Sequence, residues 1–447
     1  MNVYYLLVCL LIMTVFVRLI NKGDSSSVSF YTCLSFLISV SLYVLDYKFF
    51  GTDLSFSTVK LIIESIVVLA LGELLITKLL CNKSVNTKKM DYYSCIKVYK
   101  SEIKSNMLIV ITMVIAIAKF MMLYVYARSI GFSGNPLMIT EFMRGHMIRG
   151  EYGFPPIIVN LSYFVDSVTF YYLYLFFYQA LFFNKYEKKL LIVLIAFIIS
   201  SFASTGRSEL ISLVFFVISC FLHLSYNRKK QNTSRNQLKV KRYFYLSIAA
   251  IVALFFVFGN LRRGGGASFV DMIVKYYSSS LLGLDVFLNR DIPKNEVWGG
   301  MVFSNLYRFV DLFFGTQLYE PVGTNPFGSF FWLNDKGVDY SNIYTGFAIP
   351  IYDFGISGML ITRFFIGVFF GMLQKNRKYN RININHSIYI VMVCILMGCP
   401  LKSPISDLYF MFLSIGTVRY LVFLFIIKKF IGVREIKLDS ESTSNRN

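Results

Sequence analysis

Arginine is the residue type whose placement in this chain points to chemistry. Arg207 stands in the turn Thr205-Gly206-Arg207-Ser208-Glu209-Leu210 between two apolar runs, and Arg262 and Arg263 open the run Arg262-Arg263-Gly264-Gly265-Gly266 at the end of another. Arg128, Arg144 and Arg149 flank a further polar stretch that also holds His146 and Glu151. A guanidinium is planar, stays charged and matches two phosphate oxygens at once. Consecutive glycines let backbone approach a ligand closely. Arginines converging at one surface therefore suit a phosphate or a pyrophosphate. Each keeps a plainer reading, because an Arg at the end of a membrane span also serves as an anchor to lipid head groups.

The acid–base candidates are Asp353, in Tyr352-Asp353-Phe354-Gly355, and His146. A carboxylate inside an apolar run orients a hydroxyl or takes its proton, or else makes a hydrogen bond between helices. Histidine titrates near neutrality, and its other reading is structural. The remaining histidines, His223 and His386, have no partner at metal-ligand spacing. A Walker loop, a G-x-S-x-G elbow and a C-x-x-C pair are all missing from the sequence. No metal and no cofactor are expected.

These residues are positioned by helices made for lipid. Hydrophobic residues make up 56% of the 447 and charged ones only 16%, which is outside the range of a soluble chain of this length. A spanning helix needs about 20 largely apolar residues. Candidate stretches are 2–20, 28–45, 58–80, 105–127, 156–183, 190–204, 208–226, 243–259, 346–373, 386–400 and 407–427. The first has no small-residue cleavage site after it and reads as a retained helix. The expected class is an all-α polytopic membrane protein of about eleven transmembrane helices.

The net charge of +20 sits in short loops beside the spans, at 81–104, 184–189, 227–242, 374–385 and beyond 428. Lys and Arg mark cytoplasmic loops, so these segments read as one cytoplasmic face rather than as a nucleic-acid site. That places the N-terminus outside and the C-terminus inside. The seven cysteines lie in spans or on the inner face and imply no disulfide framework. The chain then divides into 1–259, the first spans with short loops; 260–345, a large outer loop; 346–427, the last spans; and 428–447, a polar tail. Within the large loop, 269–288 and 301–319 show helical spacing of apolar residues and read as helices lying on the membrane surface. Lys119 and Asp166 fall roughly 13 to 15 Å below the outer ends of their spans and are expected to pair. Glu64, Glu73 and Arg363 lie inside spans without an obvious partner.

At Thr205-Gly206-Arg207-Ser208-Glu209-Leu210 and again at Tyr352-Asp353-Phe354-Gly355-Ile356-Ser357-Gly358 the chain resembles the O-antigen polymerases (Wzy-type), the oligosaccharide repeat-unit polymerases of bacterial inner membranes. The general plan is similar over nearly the whole length, with many spans, a large periplasmic loop in the second half and an aromatic-rich apolar composition. The resemblance implies a metal-independent glycosyltransferase with a GT-C-like plan, the large loop lying between spans eight and nine. Such an enzyme moves a glycan from undecaprenyl pyrophosphate to the next lipid-linked repeat unit. Its implied partners are undecaprenyl-pyrophosphate-linked glycans, membrane lipid, a chain-length regulator and a flippase. On this reading Arg207, Arg262 and Arg263, with Arg144 and Arg149, bind pyrophosphate, and Asp353 or His146 activates the acceptor. Trp298, Tyr307, Tyr319, Trp332, Tyr340 and Tyr344 offer rings for stacking on sugars, or for anchoring at the interface. Three rivals stay open: an O-antigen ligase, a flippase for the lipid-linked unit, and a periplasmic acyltransferase. The long outer stretch and the lack of visible two-fold repeats weigh against the flippase.

Overall fold

A computed structural model describes residues 1–21, 27–78, 96–99, 101–148, 153–183, 185–202, 208–228, 242, 244–249, 253, 269–290, 297–316, 331–332, 340–341, 344–379, 386–402, 404 and 414–437. The helices are α1 (Asn2–Ile20), α2 (Val28–Leu45), α3 (Tyr47–Phe50), α4 (Phe56–Thr77), α5 (Glu102–Ser129), α6 (Ile139–Ile148) and α7 (Pro156–Phe182). They continue with α8 (Val193–Phe202), α9 (Ser208–Arg228), α10 (Phe269–Leu288), α11 (Ser304–Phe314), α12 (Ala348–Tyr379), α13 (His386–Lys402) and α14 (Ile415–Phe430). Two short antiparallel pairings accompany them, β1 (Ile96–Tyr99) with β4 (Arg434–Lys437) and β2 (Phe331–Trp332) with β3 (Tyr340–Ser341). The protein is almost entirely helical.

The apolar stretches start as helices where a side chain can accept a free N–H of the first turn. Ser27 accepts from Phe30 N at 3.2 Å, Ser55 from Thr58 N at 3.4 Å and Ser101 from Lys104 N at 3.4 Å. Proline at the start of α7 has no N–H to satisfy there. Four of the described helices are long and apolar enough to cross a membrane: Asn2–Ile20, Val28–Leu45, Glu102–Ser129 and Ala348–Lys375. Glu209–Ser225, Tyr277–Leu288 and Ser387–Lys402 are shorter apolar helices. At 10 residues α8 reaches about 15 Å, half the hydrocarbon thickness of about 30 Å.

Packing sorts the chain into two units. The first takes Met1–Val85, Ala267–Arg381 and Leu396–Ile415. Its centre is the contact of α4 with α12, where backbones touch because glycine leaves room. A Cβ at Gly72 would lie 2.2 Å from Phe364 O, and one at Gly367 2.1 Å from Leu69 O. Small residues at such spacing are how membrane helices approach closely, and Gly367 and Gly371 stand one turn apart. Near its start α12 is broken at Gly355, with φ 72° and ψ −179°, a conformation essentially confined to glycine. α10 packs on α2, with Ser278 to Leu282, Leu284, Asp285 and Phe287 buried. Ser39 Oγ donates to Tyr277 O at 2.8 Å and Tyr277 OH to Leu401 O at 3.3 Å. This half of α10 is inside the unit, where the sequence pattern suggested a helix lying on a surface.

The second unit takes Asn86–Gly266, Ile382–Ile395 and Gly416–Asn447. α7 is its axis, buried continuously from Val165 to Leu181 and packed on α5, α8 and α9. Aromatic rings fill the spaces: Phe170 stacks on Phe216 with centroids 4.5 Å apart. The short α6 lies against the end of α5, with Ile139 and Met143 in one cluster with Leu123 and Ala127.

Candidate functional site

Inside the second unit, ionisable side chains from several helices meet in a region that is otherwise apolar. Lys119 on α5 is only 1% exposed. Its Nζ donates to the Ser200 carbonyl at 2.8 Å and to the Ser200 hydroxyl at 3.0 Å. Ser200 belongs to the last turn of α8, where carbonyls lack donors within the helix and the dipole is negative. The lysine therefore closes that helix end. On α7, Asp166 accepts from the Tyr420 hydroxyl of α14 at 3.2 Å. Tyr163, one turn earlier, meets Tyr420 edge-on at 4.9 Å, and the Arg419 guanidinium carbon lies 5.4 Å from the Tyr163 ring centre. Glu209, in the first turn of α9, interacts electrostatically with Lys119, Tyr163 and Tyr420.

Two cations, Lys119 and Arg419, thus oppose two carboxylates, Asp166 and Glu209, with two phenols between them. Ionisable groups inside membrane helices are expensive and mark a pair, a pathway or a site. Lys119 and Asp166, expected to pair, attract each other electrostatically, while Lys119 also bonds Ser200 and Asp166 the Tyr420 hydroxyl. Sequence reasoning passed over Glu209, Arg419 and Tyr420. The signal for the last two was available, as an Arg-Tyr pair in the first turns of a short apolar run.

The residues singled out from the sequence are placed unevenly. Asp353 lies in α12, 6% exposed, and its Oδ2 accepts from the Met301 N–H at 3.0 Å and from the Val302 N–H at 2.7 Å. The carboxylate fixes the turn that leads into α11. Next to it, the Phe354 ring lies 5.0 Å from Trp298 and 6.2 Å from Phe303. His146 is half-buried in the last turn of α6, edge-on to Phe142 at 4.4 Å. Arg144 is one of the helical positions of α6. Arg149, Arg207, Arg262 and Arg263 lie outside the described residues, so their mutual geometry does too. Arg128 donates to the Tyr124 hydroxyl from Nε at 3.0 Å and from Nη2 at 2.7 Å, which holds it back along its own helix.

The other acids of the first unit have partners that the sequence did not reveal. Glu73 is 1% exposed and reaches the start of α2, where it accepts from the Ser27 hydroxyl at 3.0 Å, from Val28 N at 3.2 Å and from Ser29 N at 3.1 Å, with the Ser29 hydroxyl also donating. Asp285 of α10 accepts from Ser55 N at 2.9 Å and from the Thr58 hydroxyl at 2.6 Å, at the start of α4. Arg363, 1% exposed, donates to Gly346 O at 2.9 Å and lies 4.3 Å over the Phe347 ring. Among the described residues no group of three or more His, Cys, Asp or Glu is gathered so as to hold a metal ion.

The chain matches no family model, no curated protein and no solved structure.

Proposed function

We propose that this chain joins undecaprenyl-pyrophosphate-linked oligosaccharide units at the periplasmic face of a bacterial inner membrane, by glycosyl transfer without a metal. It does so on a GT-C-like plan of about eleven spans, the N-terminus periplasmic and the C-terminus cytoplasmic. One observation carries the reading. Glu209, which belongs to the stretch that resembles the polymerases, stands in the first turn of α9 and interacts electrostatically with Lys119, Tyr163 and Tyr420. Ionisable groups inside membrane helices are costly and mark a pair, a pathway or a site.

In this reading Arg207, with Arg262, Arg263, Arg144 and Arg149, grips the pyrophosphate and stabilises the charge that develops on it as the glycosyl bond breaks. Asp353, held by the Met301 and Val302 N–H groups, or His146 activates the acceptor. A chain-length regulator and a flippase are the expected partners.

The test is a gel of lipopolysaccharide from a strain deleted for the gene. A polymerase leaves lipid A core carrying one repeat unit; bare core would identify a ligase instead. Reintroduced Arg207→Ala should give the single-unit pattern at normal membrane abundance, and a normal ladder of chains would refute its role.

A further inference from the structure

α11 is a short helix that leaves its largest apolar side chains open. Leu306, Phe309, Phe313 and Phe314 are all exposed, Phe313 at 66% and Phe314 at 75%. Leu306, Phe309 and Phe313 recur at the spacing that makes one face of a helix, and Phe309 and Phe313 rest on each other at 4.5 Å. Asp311 turns to polar company and accepts from the Thr316 hydroxyl at 2.7 Å. Just before the helix, Trp298 is 70% exposed, its ring 5.9 Å from Phe303 and its carbonyl bonded by the Tyr307 hydroxyl at 2.7 Å. A helix with an apolar face this open is covered by something.

What covers it follows from where it is tied. Asp353 bonds to Met301 and Val302, which fastens the entry of α11 to the first turns of α12. α12 is one of the four helices able to cross a membrane, and its Ile356, Ile361 and Phe365 are exposed on its apolar surface. The exposed stripe of α11 is thus tied to the end of a helix that also leaves apolar side chains open. Trp is the side chain that favours such a boundary, its ring in the acyl region and its N–H toward head groups. We infer that α11 and Trp298 lie in the head-group boundary of the bilayer, with the stripe Leu306, Phe309 and Phe313 dipping into the acyl region as an interfacial helix does. Through Asp353, this anchor sets the depth of the Gly355 break in α12. The assignment goes beyond glycosyl transfer and stands whether or not that is the activity.

The chain has two tryptophans, Trp298 and Trp332, so Trp332→Phe leaves a single reporter. The full-length variant is reconstituted into phosphatidylcholine vesicles with and without bromine at acyl carbons 6 and 7. Shallow bromines should quench Trp298 emission roughly twofold or more, and aqueous iodide only weakly. A second reporter, Phe313→Trp combined with Trp298→Phe and Trp332→Phe, should be quenched at least as strongly by the lipid. Strong iodide quenching without lipid quenching at both positions would place the stripe in water. Protection from both quenchers would mean that protein covers it. Either result overturns the assignment.

Discussion

The two units treat buried charge in opposite ways. In the first, four acids go to the start of a helix or turn: Asp53 to α1, Glu73 to α2, Asp285 to α4 and Asp353 to the turn before α11. In the second, acids and bases are gathered into one network of Lys119, Asp166, Glu209 and Arg419, with tyrosines between them. A carboxylate removed from water costs several kcal/mol, and charge-assisted hydrogen bonds from unpaired N–H groups offset much of it. The first solution is complete once the helix ends are satisfied, and its charges hold segments together. The second sets charges of both signs against one another and against tyrosines. Burial of an acid is therefore no guide to function until its ligands are known.

The largest expected effect tests the structural half of this contrast. Glu73→Ala strips the acceptor from two backbone N–H groups and two hydroxyls at the start of α2. The hydroxyls can rotate to other acceptors, so at about 1 to 3 kcal/mol for each of the two N–H groups left unsatisfied the loss should reach about 3 kcal/mol. It should appear as a lowered thermal midpoint in detergent, with Glu73→Gln in between because it keeps an acceptor. Whatever protein still folds should make lipopolysaccharide of normal length. An unchanged midpoint would show that the cap does not matter.

The next effect tests the other half. Lys119→Met leaves the α8 end without its donor and Asp166 and Glu209 without the nearby cation, at about 2 kcal/mol. Adding Asp166→Asn should restore part of that, with a coupling of about 1 kcal/mol in the double-mutant cycle. The distinguishing result is functional: Lys119→Met should shorten the lipopolysaccharide ladder even when its membrane abundance is matched to wild type, and Glu73→Ala should not. If both variants act through stability alone, the network is another set of caps and the contrast between the units disappears.

The helices were legible in the sequence because apolar length and period are local properties, and four stretches read as spans, at 2–20, 28–45, 105–127 and 346–373, coincide with helices long enough to cross a membrane. Their partnerships were not local. Glu73 and Ser29 are 44 positions apart, and nothing in either neighbourhood announces the other. The contact of α4 with α12 was partly available, since Gly367-Val368-Phe369-Phe370-Gly371 has the small-residue spacing of close membrane helices, but its partner Gly72 stands alone in an ordinary apolar run. The depth of Asp353 could be counted along the helix, whereas the turn that it binds could not. The buried half of α10 was read as a surface helix because helical spacing of apolar residues suits either place; among its neighbours Ser279 bonds Ser341 at 3.2 Å.

The smallest effect concerns the most exposed of the capping acids and should follow pH. Asp53 accepts from Asn2 N at 2.8 Å and from Val3 N at 3.1 Å, with the terminal ammonium also donating. Partial burial pushes its carboxyl up, but the ammonium and the two N–H groups outweigh this and hold it below the usual aspartate range. A carboxylate whose folded value is depressed contributes stability that is fully present above its unfolded value, near 4. The contribution fades as the pH falls through the lower folded value. Asp53→Asn, which keeps an acceptor and loses the charge, should cost about 1 kcal/mol at neutral pH, as loss of a helix cap does. The difference from wild type should close as the pH falls through that depressed value. Thermal midpoints of the two proteins at pH 7 and below that value measure this directly, and a gap that persists in acid would mean that Asp53 acts by shape and not by charge.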